Sequence, residues 1–419
     1  MTAHGLTVHG LQHLHDRLAR HVDTGAMPGL VALVARHDAE PIDPGRNDPA
    51  QVDLVHVDVI GTKAFGDAEP MPRDAIFRMA SLTKPITAAA AMILVDDGVL
   101  TLDAPVDDHL PELADRRVLR GLDSSLDDTV PAERGITLED LLTYRLGFGA
   151  IMAPPDTYPI QVAERELQLC TLGPPWPPPP HTPDEWIRHF GSLPLMHQPG
   201  EQWMYNTGSQ VLGVLLERAA GRPLEDFLRE RILEPLGMRD TGFSVSADQR
   251  TRFTTAYAPD PESGTIRVLD GVENSYWSAP PTFPNAAGWL VSTIDDFWAF
   301  AAMLLADGTV DGERILTSRS VDMMTTDHLT PEQRASATLF LGDHSGWGFG
   351  VAAPAAGTGR GDRGGRGGFG WDGGTGTTWR TDRARGLTGI LFTQRAMTSP
   401  EPPEVFNDFW DGAYGSIES

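Results

Sequence analysis

The chain has 419 residues, 40% of them hydrophobic, and 58 acidic against 33 basic side chains give a formal net charge of −25. That length holds two or three domains and a large core, while so acidic a surface repels nucleic acid and anionic membrane, so neither is an expected partner. The one cysteine, Cys170, excludes an intrachain disulfide and a cysteine metal cluster, and with no basic neighbour in sequence it reads as a structural thiol. No apolar run approaches the ~18 residues of a membrane span. Residues 1–5 show neither the basic nor the apolar part of a signal peptide, so a cytoplasmic location is expected.

Leu11, Leu14 and Leu18 recur at helical spacing and predict a first helix over about residues 8–22. His9 and His13 stand at i, i+4 on it. No carboxylate or cysteine completes a metal site there, so a solvated face is the preferred reading, and neither metal nor cofactor is expected. Gly29 to Arg36 and Asp53 to Thr62 read as strands joined by a long polar loop, His37 to Gln51. From Phe77 the pattern turns helical. Ser81 opens a helix closing near Gly98, and Thr137 with Asp140 predicts a capping box. The proline run in Gly173 to His181 predicts a stiff polyproline II loop. Helices follow at about 206–220, 223–232 and 294–306. Trp347 to Ala352, Thr377 to Arg380 and Leu387 to Arg395 predict adjacent strands, and Glu404 to Tyr414 a last helix. The glycine- and arginine-rich stretch Gly357 to Gly370 reads as a surface loop. Strands, then helices, then strands predict an α+β chain: a sheet domain from residues 1–76 and 287–419, with a mainly helical domain, 77–286, inserted between its halves.

Ser81-Leu82-Thr83-Lys84 carries the chemistry. The chain has only two lysines, Lys63 and Lys84, and otherwise uses arginine. Arginine cannot release its proton in a protein, whereas a buried lysine can. A helix starting at Ser81 puts both side chains on one face, and its N-terminus favours an alkoxide on Ser81 over an ammonium on Lys84. Lys84 as general base and Ser81 as nucleophile follow from this. A capping serine followed by a solvated lysine explains the same four residues, so the motif needs support from elsewhere.

That support lies in Tyr205-Asn206, which leads into the apolar helix Val211 to Leu216, and in Trp371-Asp372-Gly373-Gly374-Thr375-Gly376-Thr377. With these three motifs in order, the chain resembles the serine β-lactamase-like and penicillin-binding-protein family, which includes class C β-lactamases, D,D-peptidases and related esterases. Met79 to Pro85, Leu141-Leu142-Thr143, Glu234 to Thr241 and Ala287 to Thr293 look like further family blocks, and the likeness spans roughly residues 8–415. The resemblance implies a β-lactamase/transpeptidase-like fold: an antiparallel sheet flanked by helices, with an inserted helical domain. It implies Ser81, Lys84 and Tyr205 as catalytic residues, and the Ser81 and Gly374 amides as the oxyanion hole. It places Asn206, Trp371, Asp372 and Gly373 at the substrate-binding surface. Asn206 directly follows the tyrosine, where the family commonly spaces the two by one residue.

Trp371 and Asp372 replace the lysine and threonine with which β-lactamases help bind a substrate carboxylate. An acid in place of a cation disfavours anionic substrates such as penicillins. The expected activity is hydrolysis of a small-molecule ester, or acyl transfer from one, through an acyl-enzyme. A β-lactamase or D-amino-acid peptidase acting on an amide is the enzymatic alternative, and a non-catalytic penicillin-binding-like sensor the other. Trp176, Tyr276 and Trp277 are candidates for pocket lining, with core or surface packing open for each. No Gly-x-Ser-x-Gly or His-Glu-x-x-His occurs, which disfavours an α/β-hydrolase and a zinc peptidase.

Overall fold

The computed structural model describes residues 5–37, 54–170, 177–260, 263–355 and 368–417. Most of the loop after His37, the first half of the proline run with Trp176, and the glycine- and arginine-rich stretch up to residue 367 lie outside the described residues.

The chain opens with helix α1, Val8–Asp23, capped by Thr7, and then strands β1, Gly29–Arg36, and β2, Leu54–Gly61. The sheet resumes far along the chain with β3 (Ser345–Trp347), β4 (Ala352–Pro354), β5 (Phe369–Gly373), β6 (Thr377–Asp382) and β7 (Leu387–Thr393). These form one seven-stranded sheet in the order β3-β4-β5-β6-β7-β1-β2, antiparallel throughout. The long return is closed by β1 pairing with β7, Leu33 opposite Ile390.

β1 explains why its sequence is a continuous apolar run. Successive side chains point to opposite faces, and both faces are covered. Leu30, Ala32 and Val34 pack with Leu14 and Leu18 of α1 and with Phe409 and Trp410 of the last helix, Glu404–Gly415. Val31, Leu33 and Ala35 join the main core, where helix Ile294–Leu305 sets Phe297 edge-on to Trp379 at 5.5 Å. Gly389 of β7 is what lets the last helix lie close, because a Cβ there would sit 2.7 Å from the Trp410 ring.

Trp347 to Ala352, expected as one strand, is a hairpin. Gly350 turns the chain at φ +73°, and Gly348 donates to Val351 O at 2.9 Å. A side chain at Gly348 would overlap Met324 O, so the tight turn needs its glycines. The helix expected from Ser81 begins instead with a single 3-10 turn, Ala80–Leu82, which runs into helix α2, Thr83–Asp96. α2 is buried on nearly every side, as a helix that is apolar on most of its surface must be, and it carries Thr83, Lys84 and Thr87 into the interior. Helix α3, Thr207–Ala220, follows Tyr205 and packs on α2. Thr137 and Asp140 form the expected capping box. Among the described residues no helix is long and apolar enough to cross a membrane, and no cluster of three or more His, Cys, Asp or Glu is arranged to hold a metal ion. His9 and His13 touch each other on the exposed face of α1, 3.1 Å apart.

Candidate active site

Ser81 is held in place from two sides. Phe77 and Arg78 pair as a short strand with Ser292 and Val291, and Met79 N donates to Leu290 O at 2.9 Å. From the other side the β5–β6 turn closes down: Thr375 Oγ1 donates to Arg78 O at 2.5 Å and Thr377 Oγ1 to Met79 O at 3.1 Å. Ala80, between these anchors and Ser81, takes φ +42°, a conformation an L-residue adopts only when its surroundings impose it.

Lys84 lies one helical step from Ser81 and is fully buried. Its Nζ is 2.9 Å from Ser81 Oγ, 3.0 Å from Asn206 Oδ1 and 2.5 Å from Ala287 O. All three acceptors are neutral. With burial unopposed by a nearby carboxylate, the Lys84 pKa falls well below the ordinary lysine range. Tyr205 OH donates to the same Ser81 Oγ at 2.7 Å, and Trp371 Nε1 donates to the tyrosine oxygen at 2.9 Å. The Tyr205 ring stacks on Phe340 at 4.8 Å and lies 4.7 Å from Lys84 Nζ. Loss of solvent pushes its phenol up to about 12.

Tyr205 and Asn206 reach one site although they are sequence neighbours, and the backbone explains how. Asn206 has φ +87°, in the left-handed region, just before α3 begins. That bend turns its side chain toward Lys84 while the Tyr205 carbonyl stays bonded to Ala150 N at 2.9 Å. The spacing difference at Asn206 is thereby absorbed in the turn.

The site opens into a cavity of about 380 Å³ whose walls include Ser81, Tyr205, Asn206, Trp277, Asn285, Phe340, Trp371, Asp372, Gly374 and Met397. Asp372 is the one charged side chain among the described residues lining it. Thr378 Oγ1 donates to Asp372 Oδ1 at 2.6 Å, and Arg380 stands 3.4 Å from its other oxygen. Gly374 is exposed to the cavity near Ser81. Gly373 O accepts from Gly376 N at 2.9 Å, so the Gly374 N–H, on the opposite side of that trans peptide, points out of the turn.

Most of the expected residues therefore converge. Gly373 differs: it does not line the cavity, and its missing side chain lets the turn press on Met79 O and Thr377 Oγ1. Trp277 lines the wall, fixed by its indole N–H to Trp289 O at 2.7 Å, whereas Tyr276 projects into solvent. Ala287, Asn285 and Phe340 were not singled out as site residues from sequence. A proline followed by asparagine, Pro284-Asn285, is a turn signal that marks that segment. Phe340, on helix Pro331–Leu341, offers no local signal.

Fold and site define a serine hydrolase of the β-lactamase/transpeptidase-like fold. A family model described as Beta-lactamase matches residues 14–406, and the chain belongs to that family. An uncharacterized protein of Mycobacterium tuberculosis is 39% identical over 331 residues, covering 78% of this chain and 75% of that protein. A lovastatin esterase of Penicillium rubens is 30% identical over 322 residues, covering 75% and 72%. Among solved structures, EstCE1, described as a hydrolase with promiscuous acyltransferase activity, superposes with a TM-score of 0.73 over 97% of this chain and 98% of its own, at 21% identity, and so speaks for the fold.

Proposed function

We propose that the chain hydrolyses small carboxylic esters, or transfers their acyl group, through an acyl-enzyme on Ser81. The observation that carries this is one oxygen, Ser81 Oγ, contacted by both Lys84 Nζ at 2.9 Å and Tyr205 OH at 2.7 Å. With Lys84 neutral, two N–H groups serve Asn206 and Ala287 and the lone pair faces Ser81. Hydrogen bonds then run one way, Trp371 to Tyr205 to Ser81 to Lys84. Lys84 takes the serine proton as Oγ attacks the carbonyl. The Ser81 and Gly374 amides receive the oxyanion. The tetrahedral intermediate expels the alkoxide, which takes a proton from Tyr205, and the Lys84 ammonium beside its ring restores the phenol. Water, or a second alcohol, then enters by the same path reversed.

The preference for esters is supported by the cavity's chemistry. Its walls are largely apolar, and its charged side chain is an acid, so a penicillin carboxylate finds no cation among the described lining residues. The name of the Penicillium rubens relative agrees with this reading. A cytoplasmic location, expected from the sequence, belongs to the same proposal. So does the division into a sheet part, 1–76 and 287–419, and a helical part, 77–286, supported by all seven sheet strands lying outside 77–286.

The test is a fluorophosphonate adduct on Ser81 by mass spectrometry, with kcat/KM for p-nitrophenyl butyrate beside that for nitrocefin. Ser81→Ala should lose the adduct and at least ~10³-fold in ester turnover. Full ester turnover in Ser81→Ala would sink the scheme, and a higher kcat/KM for nitrocefin would sink the substrate preference.

A further inference from the structure

The cavity holds a buried polar group that the Ser81 chemistry leaves unused. Asn285 lines it and is 2% exposed. Its Oδ1 accepts from Ala287 N at 2.9 Å, which fixes the sense of the carboxamide: oxygen on the backbone, nitrogen directed away. Among the described residues nothing accepts a hydrogen bond from Nδ2. The other polar side chains of the inner wall are committed, Asn206 to Lys84, Thr375 to the Arg78 carbonyl and Asp372 to Thr378. With its oxygen held by Ala287 N–H, the Asn285 amide leaves its N–H donors to the cavity, where water or a ligand oxygen accepts from them.

The turn that carries Asn285 is rigid and tied to the reaction centre. Asn285 O accepts from Gly288 N and Trp289 N, both at 3.1 Å, and Ala287 O, two residues on, accepts from Lys84 Nζ at 2.5 Å. The unmet donor is thereby held at a fixed place relative to Ser81, as a specificity determinant must be.

We propose that Asn285 is a specificity-determining residue whose Nδ2 donates to a second oxygen acceptor, an ether, hydroxyl or carbonyl, carried by the ester close to its scissile carbonyl. The proposal rests on the ester-hydrolase reading above. It predicts that the enzyme prefers oxygen-bearing esters over isosteric hydrocarbon ones, because a site built to donate a hydrogen bond discriminates against a substrate that cannot accept it.

The test compares isosteric pairs: p-nitrophenyl methoxyacetate with butyrate for the acyl side, and 2-methoxyethyl acetate with butyl acetate for the alcohol side. Each kcat/KM ratio is divided by the same ratio for hydroxide-catalysed hydrolysis, which removes intrinsic reactivity. Wild type should favour the oxygenated member of one pair by at least about 10-fold, and that pair locates the acceptor. Asn285→Asp keeps an oxygen for Ala287 N–H and loses the amide donor; Asn285→Ala loses both. The corrected ratio should fall to about 1 in each variant, whatever happens to the rate the two esters share. Corrected wild-type ratios near 1 for both pairs, or a preference that survives in both variants, would overturn the proposal. Wild-type ratios near 1 overturn the proposal even if neither variant folds. Hydrolysis of butyrate through a Ser81 adduct without any preference removes the role of Asn285 alone; no hydrolysis of any ester removes both readings.

Discussion

Burial acts on Lys84 and Tyr205 in opposite directions, lowering the lysine well below its usual range and raising the tyrosine to about 12. The two groups touch one oxygen, so their charge states divide the work. A phenol with so high a pKa stays protonated and donates; the buried amine loses its proton readily and accepts. In the proposed scheme activity requires neutral Lys84 and protonated Tyr205, so it should be absent at low pH, rise through the lowered lysine pKa, and hold until pH nears 12. The kcat/KM profile for p-nitrophenyl butyrate should show one ascending limb and a plateau to at least about pH 10. A descending limb between about pH 7 and 9 would contradict the assignment of Tyr205 as donor. Lys84→Arg, which keeps the charge but cannot release a proton, should cost at least ~10³-fold in kcat/KM and leave no ascending limb attributable to this group.

The site's precision comes from one short segment clamped between two elements. Arg78 to Ser81 lies under the turn joining β5 and β6, and Gly373 is where the two backbones meet. A Cβ at that position would overlap Met79 O and Thr377 Oγ1. Gly373→Ala should therefore lift the turn, and the Gly374 amide with it, away from Ser81. A displacement near 1 Å costs ~10²-fold in rate, so kcat should fall about that much, with fluorophosphonate labelling of Ser81 slowed in parallel. Unchanged kcat would show that Gly374 does not stabilise the oxyanion. The same elements show what a linear reading captures. Ser81 and Lys84 fall on one helical face, so their spacing alone brings them together. Tyr205 announces itself by preceding an apolar helix. Asn206 reaches Lys84 only through a left-handed backbone bend, which an asparagine permits but does not announce. Ala287 contributes a carbonyl, which every residue has, and Phe340 arrives from a helix more than 130 residues after Tyr205. Contacts of those kinds are set by tertiary packing, and no local pattern encodes them. The Trp347 to Ala352 hairpin was missed for a related reason: its two strands are three residues each, too short for alternation to be visible.

At the scale of the molecule, the antiparallel sheet is made by both ends of the chain and the helical part emerges from between them. One buried cluster runs through both, joining Val31, Leu33 and Ile390 of the sheet to Leu141, Trp186 and Leu215 among the helices. Shared burial on this scale couples the two parts, so unfolding should be a single transition. Arg78 sits at the junction, its strand paired with Val291 and Ser292. Its guanidinium is buried, bonded to Asp270 with Nε 2.8 Å from Oδ2, donates to Thr254 O at 2.7 Å and lies 4.0 Å over the Phe253 ring. Burial pulls its pKa down to about 10 even with Asp270 beside it, so at neutral pH the charge remains and the carboxylate is what balances it. Asp270→Ala leaves that charge unpaired in the core, a change that costs ~3–5 kcal/mol out of a total stability of ~5–15 kcal/mol. Urea unfolding followed by far-ultraviolet circular dichroism, by tryptophan fluorescence and by residual ester hydrolysis should give one midpoint for all three probes. That midpoint should move down together in Asp270→Ala, with the slope unchanged. Separated midpoints would mean that the helical part unfolds by itself, and a loss under ~1 kcal/mol would mean that water reaches Arg78 and solvates it in place of Asp270.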